Sequence, residues 1–489
     1  MMLSPLTIWA AIAAFTVFGL GLAWRATREN TGTAEDYYLG GRSFGGLVAG
    51  LSYAATTYSA FMLVVLTGLT YRGGIGALGF ELIYFAGLGL LVIFAPRFWL
   101  AAKRWGFISP AEMLGARYGS VWVARAAALV GLIFLMPYCT TQMAGIGLLL
   151  SGVTGGEISL FQAVATGALL AAIWTLFAGL RSVAWTDAVQ AVVMVVSAAL
   201  AIGFAVAAIG GWGEFARVSM ETQSERLSVP GPGLWSLNTF VALSLPWFFF
   251  AISNPQVSQR LFILRDMASM KRMIFWVLGF GLIFTLIAVV WGFAALQLAP
   301  GLENTATATP ALLISGAIPA PVSVLLILGI LAAAVSTLDS IALTLAAMVA
   351  RDLMTDAQPK AQILTGRIVV IFVILFASLF ALQKVQIVDQ LAALSAAGLM
   401  VTVPAIIGAF FWRRATAAGA LASILGGAAL AVWMAMIQGV SVFNPVLALS
   451  VGGACLVLFV LVSLLTKPKA KALDFAAELR ADLDKHGAW

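Results

Sequence analysis

Residues 322–350 have the sequence VSVLLILGILAAAVSTLDSIALTLAAMVA, an apolar run interrupted by a few polar side chains. The run is long enough to cross a bilayer, which takes roughly 20 residues at 1.5 Å of rise each. Ser336 and Thr337 lie near its middle, and Asp339 and Ser340 follow within one turn. Side chains spaced by three or four residues share one face of a helix. The run therefore predicts a membrane-spanning helix that carries a row of oxygen-bearing side chains.

Asp339 gives this row a negative charge deep in the membrane. It lies on the order of 18 Å before the helix end at Arg351, and a carboxylate at such depth costs at least ~2.5–3.5 kcal/mol to insert. Hydroxyls and one carboxylate, with no Cys or His nearby, suit a light alkali cation or a proton rather than zinc or copper. The alternative is that the hydroxyls bond back to carbonyls one turn earlier and Asp339 has a structural partner. The carboxylate favours the cation site.

The composition excludes a soluble protein. Hydrophobic residues make up 62% of the chain and charged residues 10%, and the mean hydropathy is +1.03. Continuous apolar runs predict an all-α membrane protein, because backbone polar groups in lipid must be satisfied within each segment. A β-barrel would instead have short alternating stretches. The first run, residues 6–24, has no basic region before it and no small-residue cleavage site after it, so we expect a retained helix rather than a signal peptide.

The predicted membrane spans contain few side chains that could carry out catalysis. Cys139 and Cys455 fall in separate apolar runs, and the one histidine, His486, lies in the polar C-terminal segment. These positions predict no disulfide framework, no metal cluster and no Ser–His arrangement, and so no enzyme. The net charge of +7 belongs to membrane-flanking loops, and we expect the lipid bilayer, not nucleic acid, as the macromolecular partner.

The apolar runs predict about 13 transmembrane helices. Their expected positions are residues 5–25, 44–71, 75–99, 121–151, 158–179, 183–209, 237–264, 274–298, 321–350, 365–384, 391–412, 416–437 and 445–466. An odd number of spans places the two termini on opposite sides of the membrane. Of the 27 Lys and Arg residues, all but Arg72, Arg217, Arg226 and Lys384 fall on one side. Because basic residues accumulate in the cytoplasm, the N-terminus is predicted outside and the C-terminus inside, in the inner membrane.

The chain also divides into two matching blocks. After an extra N-terminal helix and cytoplasmic loop (1–43), we expect a first five-helix repeat (44–209), an external loop (210–236) and a second, inverted five-helix repeat (237–412). Two additional helices (413–466) and a cytoplasmic tail (467–489) follow. Each repeat opens with an interrupted helix, AATTYS at 54–59 and SNPQ at 253–256. Paired interruptions in inverted halves indicate a transporter's binding site near the bilayer midplane, where unwound carbonyls can bind cations.

Four stretches carry a resemblance to a known family: DYYLGGR at 36–42, GLRSVAWTDAVQ at 179–190, NPQVSQR at 254–260 and AAAVSTLDS at 332–340. With these stretches and the 5+5 plan, the chain resembles the sodium:solute symporter family over about residues 35–415. Members of that family import proline, pantothenate, sugars, monocarboxylates or sialic acids with Na+. The resemblance implies the leucine-transporter-like fold, with one helix before the repeats and two after them.

The resemblance also implies a principal Na+ site between the first and eighth core helices. Its five oxygen ligands would be the backbone carbonyls of Ala55, Tyr58 and Ala333 and the hydroxyls of Ser336 and Thr337. This set agrees with the oxygen row expected from residues 322–350 alone. Na+ is therefore the expected coupling ion.

A second cation position, used by some relatives, would match Asp187, Ser336, Asp339 and Ser340. Asp187 lies roughly 9 Å into its helix, and its alternative role is a helix-turn partner for Arg181. Relatives have a serine at the position of Asp339. Two carboxylates close together favour either a second cation or one shared proton, and the sequence leaves both open.

For the solute, the family pocket would match Phe61, Tyr138, Gln142 and Trp247. Stacking aromatics with few amide groups favour a small, partly apolar solute over a sugar, which would need many hydrogen-bonding partners. Proline-transporting relatives carry an aspartate where this chain has Thr57, which argues against proline.

The predicted function is therefore symport by alternating access. Inward Na+ flow would drive uptake of a small organic solute: a monocarboxylate, a pantothenate-like acid or an amino acid. The alternatives are a proton-coupled importer of the same solutes, or a transporter-like sensor without an output domain on this chain. A channel is less consistent with broken-helix repeats around one central site. We expect a monomer.

Overall fold

The computed structural model describes residues 3–28, 32–229, 234–354, 358–384 and 388–487. Within these ranges the chain is helical, and the one β-type pairing is a bridge between Phe44 and Leu264. The α-helices are α1 (Pro5–Thr27), α2 (Ala34–Leu39), α3 (Gly46–Thr57), α4 (Thr67–Gly73), α5 (Gly76–Leu88), α6 (Leu90–Trp105), α7 (Pro110–Tyr118), α8 (Val121–Val153), α9 (Leu160–Ile209), α10 (Trp212–Thr222), α11 (Leu237–Phe248), α12 (Phe250–Ser253), α13 (Pro255–Ser258), α14 (Met267–Leu298), α15 (Ala308–Ile314), α16 (Ala320–Met348), α17 (Pro359–Lys384), α18 (Val388–Leu399), α19 (Val403–Phe411), α20 (Ala417–Leu421), α21 (Gly427–Val432), α22 (Pro445–Leu465) and α23 (Ala470–Lys485).

Shorter helical segments of other types join or extend these helices. The π-helical segments are Phe61–Leu66, Val349–Leu353, Ala422–Gly426 and Trp433–Ile437. The 3-10 segments are Gly40–Arg42, Ser224–Leu227, Gln259–Ile263, Thr305–Thr307 and Met400–Thr402.

Most of the predicted spans correspond to helices of the structure. Among the described residues, ten helices are long and apolar enough to cross a membrane, and each matches a predicted span. An eleventh span, predicted at 44–71, is the bent pair Gly46–Thr57 and Phe61–Gly73, whose axes differ by 45°. The two remaining predictions, 158–179 and 237–264, contain the shorter apolar helices Leu160–Leu176 and Leu237–Phe248. The all-α membrane fold is confirmed, while the count of 13 and the inverted repeat stay predictions.

The turn expected between residues 179 and 183 is confined to Gly179. Its backbone has φ 61° and ψ −149°, so α9 continues directly from Leu180 after the kink. A Cβ at this glycine would lie 2.3 Å from the carbonyl oxygen of Tyr37. Positive φ and close backbone approach together require glycine here. The kink places Asp187 about two turns into the second half of α9.

Two segments expected to be irregular contain helices. The external loop 210–236 includes α10, and the C-terminal tail 467–489 includes α23. The buried residues of α23 are Ala472, Phe475, Leu479 and Leu483. Because they recur at helical spacing, they form an apolar stripe that packs against α6 and α7.

Helix α16 runs through the centre of the bundle. It packs against α3, α8, α9 and α17, and nearly all of its residues from Leu326 to Met348 are buried. Near one membrane face, Phe44 accepts a hydrogen bond from the Arg265 N–H and donates to the Ile263 carbonyl, both at 3.2 Å. This pairing joins the start of α3 to the segment that follows α13. Asp266 then caps α14 by accepting from the Ser269 N–H at 2.7 Å, a bond that lowers the pKa of its carboxyl.

Candidate functional site

The first helix interruption lies at Tyr58. Helix α3 ends at Thr57, and Tyr58 has φ −97° and ψ 81°, outside the helical range. The last backbone bond before the break joins the Tyr58 N–H to the Ala54 carbonyl at 2.8 Å. The chain resumes as the π segment Phe61–Leu66. Carbonyls near the break are therefore available to side chains or ions, as the sequence predicted.

These carbonyls meet the hydroxyl row of α16. Ser336 Oγ lies 3.1 Å from the carbonyl oxygens of both Ala55 and Ala333. Thr337 Oγ1 lies 3.3 Å from the carbonyl oxygens of Ala55 and Thr56. The two hydroxyls are fully buried. The structure thus brings together four of the five groups predicted to bind Na+: the Ala55 and Ala333 carbonyls and both hydroxyls.

The fifth group, Tyr58, lies at the break itself, three residues after Ala55. Its ring packs among Tyr84, Phe280 and Phe284, with centroid distances of 5.7–6.3 Å. The side chain thus packs with α5 and α14, while only the backbone of Tyr58 belongs to the break. Neutral carbonyl and hydroxyl oxygens are hard ligands that suit a monovalent alkali cation. The residues present fit Na+.

A guanidinium bonds two of the four residues of the predicted second site, Asp187 and Ser340. Asp187 Oδ2 accepts from Ser52 Oγ at 2.8 Å and from Arg260 Nη2 at 3.3 Å, and both members of the ion pair are fully buried. Arg260 Nη2 also donates to Ser340 Oγ, which lies 2.8 Å from Thr56 Oγ1. The alternative pairing of Asp187 with Arg181 is wrong. Arg181 instead pairs with Asp36, at 2.8 Å.

Asp339 has a different partner from Asp187. Its Oδ1 accepts from Thr175 Oγ1, on the first half of α9, at 2.8 Å. Of the two carboxylates that the sequence placed together, Asp187 thus pairs with Arg260 and Asp339 bonds Thr175. Ser336, Asp339 and Ser340 share α16 as expected, while Ser336 turns toward the break of α3.

The predicted solute residues form one aromatic cluster between the two breaks. The Trp247 ring lies 4.9 Å from Phe61, 6.4 Å from Tyr138 and 5.3 Å from Phe250, onto which it stacks in parallel. Tyr138 Oη lies 3.2 Å from Ser59 Oγ, in the first break. All of these rings are buried. Phe61, Tyr138 and Trp247 are thus brought together, with Phe250 as a member that the sequence did not indicate.

Gln142 lies one turn after Tyr138 on α8 and is fully buried. Its Nε2 is 3.4 Å from the Tyr138 carbonyl, and its Oε1 has no hydrogen-bond partner within the described ranges. Thr57 Oγ1, at the end of α3, is likewise buried without a partner there. Buried polar atoms are normally hydrogen-bonded, so such atoms are suited to a polar solute group.

Sequence reasoning missed Glu81 and Arg260. Glu81 lies on α5, one turn before Tyr84, and is fully buried. Neither of its carboxylate oxygens has a hydrogen-bond partner in the described part of the chain. The sequence signal for Glu81 was the same as for Asp339: it is a lone carboxylate within an apolar run, here the span predicted at 75–99.

Comparison with known proteins gives the class. The family model described as "Sodium:solute symporter family" matches residues 37–427, and the chain belongs to this family. That membership confirms the resemblance seen in the sequence, and the family's name gives sodium as its ion.

Individual relatives are distant. The uncharacterized symporter YodF of Bacillus subtilis is 25% identical over 49% of this chain. The matched part spans about half of that relative's length, 47%. The sodium/proline symporter of Escherichia coli is 26% identical, covering 88% of each chain.

A solved structure supports the fold. A Na+-coupled sialic acid symporter in a substrate-bound, outward-open state superposes with a TM-score of 0.75 at 22% identity, covering 94% of this chain and 97% of the other. This similarity confirms the predicted transporter fold. At such identity it concerns the fold alone.

Proposed function

We propose that this protein is a symporter that couples inward Na+ flow to uptake of a small organic solute by alternating access. The observation that carries the proposal is the meeting of two hydroxyls with three carbonyls between the broken helix and α16, at 3.1–3.3 Å. A Na+ ion bound there ties the break after α3 to α16. If only one arrangement of the two helices offers all the ligands, Na+ binding favours that arrangement and raises the affinity for a solute bound beside it.

The solute would bind in the aromatic cluster, between the breaks at Tyr58 and Asn254. Stacked rings bury the apolar part of a ligand, while Gln142 and Thr57 offer polar atoms. This balance favours a monocarboxylate, a pantothenate-like acid or an amino acid. Curated relatives include a sodium/pantothenate symporter and a monocarboxylate transport permease, each matching about 40% of this chain.

We also propose the 5+5 inverted repeat, with the first repeat at 44–209 and the second at 237–412, and a cytoplasmic C-terminus. The supporting observation is that each block opens with an interrupted helix, at Tyr58 in the first and at Asn254 in the second. The distribution of Lys and Arg supports the orientation. In this arrangement α23 lies on the cytoplasmic face of the inner membrane.

Uptake by proteoliposomes tests the proposed function directly. With counterflow across a panel of radiolabelled acids, amino acids and vitamins, we expect one small class of solutes to exchange. Uptake of that solute should require an inward Na+ gradient. Uptake driven equally well by a proton gradient without Na+ would favour the proton-coupled alternative, and binding without any exchange would favour the sensor.

Replacing Trp247 or Tyr138 with alanine is expected to weaken solute binding at least tenfold. The reason is the loss of stacking area in the cluster, which is worth about 1.5 kcal/mol or more per buried aromatic side chain. Na+ affinity, measured without solute by a thermal-shift titration, should stay near wild type. Tyr118→Ala is the matched control, because it removes another fully buried tyrosine ring, one that lies outside the cluster and bonds the Ala405 carbonyl at 2.7 Å. A parallel fall in both affinities would mean that the rings only pack.

Asp339→Asn distinguishes the possible roles of this carboxylate. If Asp339 helps bind a second Na+, the Hill slope of uptake against Na+ should exceed one in the wild type and fall to one in the variant. If it carries a proton, the slope is one throughout and the variant loses a pH dependence near neutrality. Thr175→Val, which removes the hydroxyl that bonds Asp339, tests the structural contact separately. Normal expression with unchanged Na+ and pH profiles would exclude both coupling roles.

A further inference from the structure

A cavity lies where α23 crosses the ends of other helices. It has a volume of about 400 Å³ and lies between the end of α19, α6, α7 and the last turns of α23. Four of its lining residues are arginines, and one is an aspartate: Arg97, Arg117, Arg413, Arg480 and Asp484. The remaining walls include three consecutive aromatic residues at the end of α19, Phe410, Phe411 and Trp412. An arginine-rich cavity with an aromatic wall is suited to an anion.

Two of the arginines are held in place by the protein. Arg117 is almost fully buried, and its Nε and Nη2 donate to the Ala409 and Trp412 carbonyls at 2.6 and 3.2 Å. Its Nη1 is buried with no hydrogen-bond partner among the described residues. The Arg97 guanidinium lies 4.8 Å from the centre of the Phe411 ring. A buried N–H of a guanidinium without an acceptor is costly, and an anion in the cavity would supply one.

Helix α23, which forms one wall of the cavity, is held in place by contacts that involve no ligand. The Phe475 ring stacks on Trp105 with centroids 4.2 Å apart. Arg104 pairs with Glu478 at 2.7 Å and with Asp482 at 2.8 Å. These contacts dock α23 through its apolar stripe and its acidic residues. Arg480 and Asp484, further round the same helix, can then line the cavity.

We propose that this cavity binds a phosphate group, and that an anionic phospholipid headgroup supplies it. Arginine forks match phosphate oxygens, and four arginines against one aspartate leave a clear positive excess. The position fits a headgroup, because α19 ends here in aromatic and basic residues, as helices do at the membrane surface. Basic pockets between transmembrane helices on the cytoplasmic side bind such headgroups. Bound lipid would link α23 to α19 and stabilise the tail against the bundle.

The test uses the full chain purified in detergent, with its melting temperature as the readout. One arm titrates phosphatidylglycerol against phosphatidylcholine, and the other titrates inorganic phosphate against chloride at equal ionic strength. The variant Arg413→Gln with Arg480→Gln removes two lining charges. The matched control, Arg414→Gln with Lys485→Gln, removes two exposed charges from the same segments without touching the lining. Both leave the Arg104 ion pairs intact, so α23 should remain docked.

We expect phosphatidylglycerol to raise the melting temperature of the wild type and the control. The lining variant should need at least about tenfold more lipid for half of that rise, because it loses two arginines that can bond the phosphate directly, whereas the control keeps them. A rise with inorganic phosphate alone, again weakened in the lining variant, would support the phosphate site but overturn the lipid as its source. Equal responses of all three proteins, or no response in the wild type to either probe, would overturn the proposal. Uptake plays no part in this readout, so the result is independent of the proposed symport.

Discussion

Replacing Arg260 with methionine is expected to lower the free energy of unfolding by roughly 3–5 kcal/mol, because it leaves the buried carboxylate of Asp187 without its counter-charge. Both side chains are fully buried, and Arg260 Nη2 is 3.3 Å from Asp187 Oδ2. Asp187→Asn should cost a similar amount by leaving the guanidinium unpaired. The double variant should recover most of the loss, since it removes both charges. Melting temperature and the yield of monodisperse protein in detergent measure these effects.

Lys271→Met is the control for Arg260→Met, because it removes an exposed basic residue shortly after the same segment. Its melting temperature should match that of the wild type. A different result would identify Asp187 as a cation ligand. In that case Asp187→Asn would keep the melting temperature of the wild type, and Na+ would no longer raise it. The two single variants and the double variant together form a double-mutant cycle. It decides whether Asp187 belongs to the coupling machinery or to an ion pair that holds α9 against the second broken helix.

Replacing Ser336 and Thr337 together with alanine is expected to raise the Na+ concentration for half-maximal uptake at least tenfold, about 1.4 kcal/mol or more. The double change removes both hydroxyls that meet the carbonyls near the break, while the carbonyls themselves remain. Solute affinity extrapolated to saturating Na+ should change much less. Uptake at a range of Na+ concentrations in proteoliposomes measures both quantities.

Ser323→Ala serves as the matched control on α16. Its hydroxyl is also buried, but it lies 3.4 Å from the Leu313 carbonyl, more than three turns from Ser336. The control should keep the wild-type Na+ dependence. If the double variant kept the wild-type Na+ dependence, or if uptake were as fast with neither a Na+ nor a proton gradient as with them, the proposed role of the two hydroxyls would be wrong.

Part of the site could be predicted because its signals are local. Ser336 and Thr337 stand out because they interrupt an apolar run, and the breaks at Tyr58 and Asn254 because polar or helix-breaking residues interrupt theirs. Helical spacing then places such side chains on one face. The same logic applied to residues 75–99 would have found Glu81.

Partner choice could not be predicted in the same way. The sequence suggested that Asp187 and Asp339 share one site or that Asp187 pairs with Arg181. In the fold Asp187 pairs with Arg260, and Asp339 accepts from Thr175. The partners are far apart in the chain: Asp187 and Arg260 are separated by 73 positions, and Thr175 and Asp339 by 164. No local pattern indicates which distant donor reaches a buried carboxylate.

The amino-acid sequence alone specifies the class of fold, most of the span positions, the broken helices and the oxygen row on α16. It could do so because a helix in lipid must satisfy its own backbone, so hydropathy within each segment is decisive. Only the tertiary structure decided how each helix is rotated and what its polar groups meet. A helix that is apolar on all sides has no polar face to fix its rotation, which is set by packing against its neighbours. The Arg260–Asp187 pair, the cluster around Trp247 and the arginine-lined cavity under α23 all arise at that level.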